Sequence, residues 1–185
     1  MRLQLARRAA VLAISIASVL LFASIAFAVR IGPNDVATAF FVSKSDDRNR
    51  VDYGVRATPA CAPIGAAPVF AYWRRFEPGQ PLLGDLNALD ARAYGIAQQQ
   101  VRVREAGGSW IELSLNALPA QRILVLIRPA GRGCVASARS SIAGREAHLD
   151  RVFVQLGGPL RIEHVMVYGR DVATGEALTE RRAPR

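Results

Sequence analysis

Short stretches of alternating apolar and polar residues follow one another along most of the chain. Residues 40–43 alternate, and Val51, Tyr53 and Val55 alternate with polar or small residues. A period of two is typical of a strand with one buried face. Six polar residues, 44–49, separate the two segments, and their Asp and Asn side chains favour a turn. The pattern predicts a β-hairpin.

The same period continues towards the C-terminus. It predicts a strand over 69–76, a hairpin over 101–115 that turns at 107–108, and a strand apolar on both faces over 122–129. Four more such segments, separated by turns that contain glycine, follow between 134 and 182. About eight or nine short strands at this spacing are typical of an antiparallel β-sandwich.

One segment has helical spacing instead. Apolar residues between Leu86 and Ile96 recur every three or four positions, and Asn87 with Asp90 has the spacing of an N-terminal capping pair. The expected fold class is therefore mainly β, an antiparallel sandwich with one short inserted helix.

The first 28 residues differ in kind from the rest. Three arginines are followed by an apolar run from Ala9 to Phe27 without charge, and residues 26–28 read "AFA". Such a segment is typical of a secretory signal peptide, so we expect cleavage after Ala28 and export to the periplasm or beyond the cell. Because the run approaches the length that spans a bilayer, an uncleaved membrane anchor is the alternative.

The remaining residues have the length of one domain. We expect a leader segment over 29–39, a single sandwich domain over 40–180 and a basic tail over 181–185. Two cysteines, Cys61 and Cys134, lie in this part. Thiols tend to be oxidised outside the cytoplasm, which favours one disulfide; two buried free thiols are the alternative.

The number and the spacing of the charged residues indicate which classes of partner to expect. The chain has 24 Lys and Arg residues against 15 Asp and Glu, and Lys44 is the only lysine. The arginines are scattered singly or in pairs, whereas nucleic-acid-binding proteins concentrate them on a face or in a run. With export, this argues against DNA or RNA and leaves more room for attraction to anionic envelope polymers or lipid head groups; a basic, soluble surface without such a partner is the alternative.

Few residues suggest catalysis. A Ser/Lys dyad at Ser43 and Lys44 would need a buried lysine whose pKa falls, but the flanking "SDDRNR" favours a solvated, charged lysine. His164 shares a strand face with apolar residues, which favours a packed histidine. No spacing of His, Cys, Asp or Glu matches a metal site, and no glycine loop matches a phosphate or cofactor site. We predict no catalytic residue, metal or cofactor.

The segment "FAYWRRFE" joins aromatic rings to arginines. A ring face for stacking beside a guanidinium fork is typical of sugar or peptide recognition. Trp73, however, is spaced with Val69 and Ala71 as a core residue, and that alternative stays open.

Four motifs in order, "FFVSKS", "NRVDYGVR", "ACAPIGAAPVFAYWR" and "ARAYGIA", make the sequence similar to a bacterial exported family, domain of unknown function 4833, from about Phe40 to Arg170. The resemblance implies a secreted single domain and no particular activity. It also implies a family pattern that includes Ser43, Lys44, Asn49, Tyr53, Arg56, Tyr72, Trp73, Arg74 and Tyr94.

These observations predict a non-enzymatic module of the envelope that recognises a polymer or protein partner. The expected binding residues are Lys44, Asn49, Tyr53, Arg56, Tyr72, Trp73 and Arg74. The alternative is a hydrolase that uses Lys44 or His164 with a nearby serine or carboxylate. A membrane contact is expected only if the N-terminal segment is not cleaved.

Overall fold

The computed structural model describes residues 37–79, 81–103, 109–131, 133–158 and 161–183. The expected signal peptide, most of the leader and the turn at 107–108 lie outside these ranges. The elements in chain order are β1 Ala37–Lys44, β2 Arg50–Val55, β3 Val69–Arg74, β4 Leu83–Asp85, α1 Ala88–Tyr94, β5 Ile96–Val103, β6 Ser109–Leu115, β7 Leu118–Ala130, β8 Gly133–Ile142, β9 Arg145–Leu156, β10 Ile162–Asp171 and β11 Ala177–Arg182.

The strands belong to one sheet that divides at β9. On one edge of β9, strand β8 pairs with its first half and β1 with its second half. Strands β1, β2, β3 and β4 continue from there as one arm, and β8, β7, β6 and β5 as another. Strands β10 and β11 extend the sheet from the opposite edge of β9. Within the described residues the fold is therefore mainly β with one helix, as predicted.

One pairing departs from the antiparallel arrangement that the sequence suggested. Phe41–Lys44 of β1 run parallel to Arg151–Val154 of β9, while the other strand pairs are antiparallel. Parallel neighbours need a long connection, and about 110 residues separate these two segments. The described sheet is therefore mixed, and the expectation of a purely antiparallel one was wrong.

Both arms contribute to one buried core. Phe40, Val42 and Tyr53 come from the first arm, and Ile111 and Val125 from the second. The ring of Phe40 stacks on that of Tyr53 with centroids 4.3 Å apart. Alternate residues of a strand point to opposite sides, so the side chains between these core positions face away from it.

Cys61 and Cys134 form a disulfide with a Cα–Cα distance of 5.6 Å, which confirms the expected pairing. Cys61 lies in the loop between β2 and β3, and Cys134 in β8. The bond therefore joins the two arms. At the edge of β3, the Gln99 side chain of β5 adds a second link, since its amide accepts from Val69 N at 3.0 Å and donates to Val69 O at 3.1 Å.

Helix α1 begins as the sequence predicted. The Asn87 side chain accepts hydrogen bonds from the backbone amides of Leu89 and Asp90, both at 2.9 Å. The helix ends at Tyr94, and strand β5 begins two residues later, at Ile96. No helix of the described residues is both long enough and apolar enough to cross a bilayer.

The first and last described strands reach into segments that the sequence placed outside the domain. Strand β1 starts at Ala37, inside the expected leader, and β11 continues to Arg182, inside the expected basic tail. In both places pairing with a neighbouring strand extends the element beyond its apolar core residues. Tertiary pairing, which local sequence does not encode, sets these ends.

Candidate functional site

The sheet surface that faces away from the core carries two rows of side chains across six strands, β3, β2, β1, β9, β10 and β11. Paired residues of neighbouring strands point to the same side of a sheet. One row is Tyr72, Asp52, Phe41, Arg151, Tyr168 and Thr179; the other is Arg74, Arg50, Ser43, Phe153, Met166 and Arg181. We call these twelve residues the arginine face. At a strand spacing of about 4.8 Å, it is roughly 24 Å long.

Asp52 organises one half of the arginine face. Its carboxylate is fully buried and accepts from Arg50 Nε at 2.7 Å and from Arg74 Nε at 2.5 Å. Burial of a charged carboxylate is costly unless it is paired with an opposite charge and hydrogen-bonded. Here two guanidinium groups supply the opposite charge and the hydrogen bonds. The hydrogen bond to Asp52 also raises the pKa of Arg74, so this side chain stays charged. Both arginines are thus fixed through Nε.

Aromatic rings support the guanidinium groups. Arg50 Cζ lies 4.3 Å from the centroid of the Phe41 ring, and Arg151 Cζ lies 4.5 Å from that of Tyr168. Beside the two rows, Arg56 Cζ lies 4.4 Å from the Phe70 ring. Cation–π contacts of this kind contribute about 0.5 to 1 kcal/mol at exposed sites. They hold planar guanidinium groups in place, so less side-chain entropy is lost when these groups bind a ligand.

The charge of this surface is one-sided. The two rows contain four arginines and one carboxylate, and that carboxylate is the buried Asp52. The exposed Asp85 lies beyond Tyr72, on the edge strand β4. An arginine fork pairs well with carboxylate or phosphate oxygens. The arrangement can therefore bind anionic groups along a line across the strands.

Three of the residues predicted for binding lie on or beside this face. Tyr72 and Arg74 belong to the two rows, and Arg56 flanks them. The Tyr72 hydroxyl lies 3.0 Å from Thr38 Oγ1 and accepts from Arg74 Nη2 at 3.5 Å, although the ring itself is largely buried. The structure thus places these three residues on or beside one surface.

Tyr53 and Trp73 belong instead to the buried core. Tyr53 is 0% exposed and donates its hydroxyl to the backbone oxygen of Tyr94 at 2.7 Å. Trp73 is 8% exposed and donates Nε1 to Asp90 Oδ2 at 2.9 Å. Each polar tip finds a partner inside the protein, so the structure places both residues in the core and not on the arginine face. For Trp73 the core alternative holds.

Lys44 and Asn49 are also separated from the arginine face. Asn49 is buried and accepts from the backbone amide of Phe76 at 2.9 Å, which ties the β1–β2 turn to the segment after β3. Lys44 is on the core side of β1, where its Nζ lies 3.4 Å from Asp47 and 5.8 Å from the Trp73 ring centroid. The predicted set therefore does not form a single site.

The geometry counts against one form of the hydrolase alternative, a dyad of Ser43 and Lys44; carboxylates lie near Lys44 (Asp47, 3.4 Å) and near His164 (Glu163, 4.0 Å). Ser43 is on the arginine face whereas Lys44 points to the opposite side, so the two cannot act as a dyad. Ser45 Oγ accepts from the backbone amide of Leu156 at 3.2 Å. His164 Nδ1 lies 3.3 Å from Arg181 Nη2. Within the described ranges, no three His, Cys, Asp or Glu side chains are grouped to hold a metal ion.

Sequence reasoning missed Arg50, Asp52, Arg151 and Tyr168. The pair Arg50 and Asp52, two residues apart in a predicted strand, was a usable signal because such residues share a face. Arg151 lies beside Phe41 only through the parallel pairing. Arginines that are scattered along the sequence thus meet on one surface. Scatter gives no reason to exclude nucleic acid, and only the expected export still argues against it.

The fold and this surface define a mainly β domain with a basic, aromatic-supported face. The chain matches the domain of unknown function DUF4833 over residues 40–181, and it belongs to that family. Comparison with curated proteins and with solved structures gives no match.

Proposed function

We propose that this protein is an exported, non-enzymatic module of the cell envelope that binds an anionic polymer along the arginine face. The observation that carries the proposal is the pairing of Arg50 and Arg74 with one buried carboxylate, which fixes two guanidinium groups side by side. Arg151, stacked on Tyr168, continues the same surface two strands away from Arg50.

The shape of the site supports a polymer. The two rows run across the strands, so the cations follow one another along a line of roughly 24 Å. A linear polyanion presents its charges in the same way and could contact several guanidinium groups at once. Each contact is weak at an exposed surface, but linked contacts strengthen one another through effective concentration.

The fold that presents this face is, we infer, a two-layered sandwich in which the arm from β1 to β4 packs on the arm from β5 to β8. The disulfide, the hydrogen bonds between Gln99 and Val69 and the common core support this inference. In such a fold the arginine face would be the outer surface of one layer, opposite the core.

A binding measurement with polygalacturonate, a linear carboxylated glycan, tests the proposal. The double variant Arg56→Gln/Arg151→Gln removes two exposed cations, and we expect its affinity to be about tenfold lower than that of the unchanged protein. The matched control is Arg102→Gln/Arg128→Gln, which removes the same charge from exposed positions of β5 and β7. The control should keep its affinity to within about twofold, since those residues lie on the other arm.

Equal losses in both double variants would mean that net charge alone attracts the polymer. An unchanged affinity of Arg56→Gln/Arg151→Gln would reject the arginine face as the binding site. Isothermal titration calorimetry at fixed ionic strength gives the affinities, and a neutral glycan, dextran, provides the baseline.

Export is tested separately. If the N-terminal segment is a cleaved signal peptide, N-terminal sequencing of protein recovered from the cell envelope should begin at Val29. A sequence that begins at Met1 would instead support the uncleaved anchor.

A further inference from the structure

A second concave site lies away from the arginine face, beside helix α1. A pocket of about 470 Å³ lies between this helix and the ends of β1, β9 and β10. Its apolar walls include Leu89 and Ala93 of the helix, Leu156 of β9 and Ile162 of β10. Leu89 is 56% exposed, which is high for a large apolar side chain. Pockets of this volume with mostly apolar walls are typical of small-molecule sites.

Two cations line this pocket. Lys44 is 28% exposed, and its ammonium group has three donors, of which the contact to Asp47 at 3.4 Å uses one. Arg92, at the last turn of α1, has no ion-pair partner within the part of the chain that the structure describes. Both side chains therefore keep donors that a bound molecule could use.

The nearby carboxylates are already engaged. Asp90 accepts from Trp73 Nε1, and Asp47 accepts from the backbone amide of Asn49 at 2.9 Å as well as from Lys44. Burial, together with the charges of Asp90 and Asp47, raises the pKa of Tyr94, so its hydroxyl stays protonated beside the pocket. Lys44 and Arg92 therefore supply the cations of the lining, and Asp90, held by Trp73, is its one carboxylate.

We propose that this pocket binds a single-chain amphiphile with an anionic head group. The apolar chain lies against Leu89, Leu156 and Ile162, and the head group binds Lys44 and Arg92. Burial of the chain supplies most of the affinity, because each buried methylene contributes favourably, and the cations select the charge of the head group. This site is independent of the polymer proposed for the arginine face.

Tryptophan fluorescence can report binding. The chain has two tryptophans, and Trp110→Phe leaves Trp73, which lies between Lys44 and Tyr94. We expect sodium dodecanoate, added below its micellar concentration, to change the Trp73 emission in a saturable way. Dodecyltrimethylammonium has an alkyl chain only one carbon longer and the opposite charge, so it should bind about tenfold more weakly.

Two variants in the Trp110→Phe background locate the ligand. Lys44→Met should weaken dodecanoate binding about fivefold or more, since it removes the head-group contact. Ala93→Phe, which fills the pocket, should abolish the saturable change. The control Arg151→Gln, on the arginine face, should bind dodecanoate as the background does.

Equal affinity for the cationic amphiphile, or an unchanged affinity of Lys44→Met, would overturn the proposal. The same holds for saturable binding that persists in Ala93→Phe. If Ala93→Phe does not fold, as judged by its thermal transition, the Lys44→Met titration and the comparison of head groups still decide the question.

Discussion

Loss of the Cys61–Cys134 disulfide is expected to lower the free energy of unfolding by about 4 kcal/mol. The bond closes a loop with a sequence separation of 73 residues. On the chain-entropy model, closing a loop of that size lowers the conformational entropy of the unfolded state and so raises its free energy by about 4 kcal/mol. It also fixes the β2–β3 loop, in which Cys61 has a φ of +62°. A typical domain is stable by only about 5 to 15 kcal/mol in total, so a loss of this size would be a large share of its stability.

Urea unfolding of the double variant Cys61→Ala/Cys134→Ala, followed by circular dichroism, measures the loss. The unchanged protein after reduction provides the matched comparison and should unfold at a similarly low urea concentration. A midpoint that differs little from that of the oxidised protein would show that the core alone holds the two arms together.

Replacement of Asp52 by alanine is expected to cost about 2 to 3 kcal/mol. The variant leaves Arg50 and Arg74 without the carboxylate that both contact, and removal of one member of a buried ion pair is strongly destabilising. This value is smaller than the full cost of breaking a buried ion pair, because the side chains of Arg50 and Arg74 are 32% and 17% exposed and water can reach them.

The exposed Asp46 provides the control for Asp52, since Asp46→Ala should change the free energy of unfolding by less than about 0.5 kcal/mol. Asp52→Asn keeps one acceptor oxygen, so its free energy of unfolding should lie between those of Asp52→Ala and Asp46→Ala. If Asp52→Ala is as stable as Asp46→Ala, the buried carboxylate does not hold the arginines. Chemical unfolding of the three variants under one set of conditions decides this.

Local patterns predicted much of the fold. The alternation in β1, β2 and β3 identified these strands, because a strand with one buried face must alternate. The Asn87 cap marked the start of α1 correctly, since its side chain satisfies amides that the first turn leaves free. The disulfide followed from the number of cysteines and the expected export.

Long-range pairing was not predictable in the same way. Strand β4 has only three residues, Leu83–Asp85, and forms by pairing with β3. The parallel alignment of β1 with β9 joins segments far apart in the chain, and neither segment carries a local signal for it. Alternation of apolar and polar residues shows which side chains share a face of a strand, but it does not show which other strands pair with that strand.

The arginine face shows the same division. The spacing of Tyr72 and Arg74 placed both residues on one face of the strand. Trp73, between them, therefore points to the opposite face, where it joins the core. The spacing of Arg50 and Asp52 indicated a shared face, but it did not show that Arg74 of the neighbouring strand would contact the same carboxylate. Arg151 became part of the surface only through the β1–β9 pairing.

The most direct test of the central proposal is a nuclear magnetic resonance titration of isotope-labelled protein with polygalacturonate. Binding along the arginine face predicts the largest shifts for the side-chain Nε–H signals of Arg50, Arg74 and Arg151 and for the backbone amides around Phe41 and Tyr168. Shifts centred instead on the outward residues of β5 to β7, or spread evenly over all arginines, would contradict it.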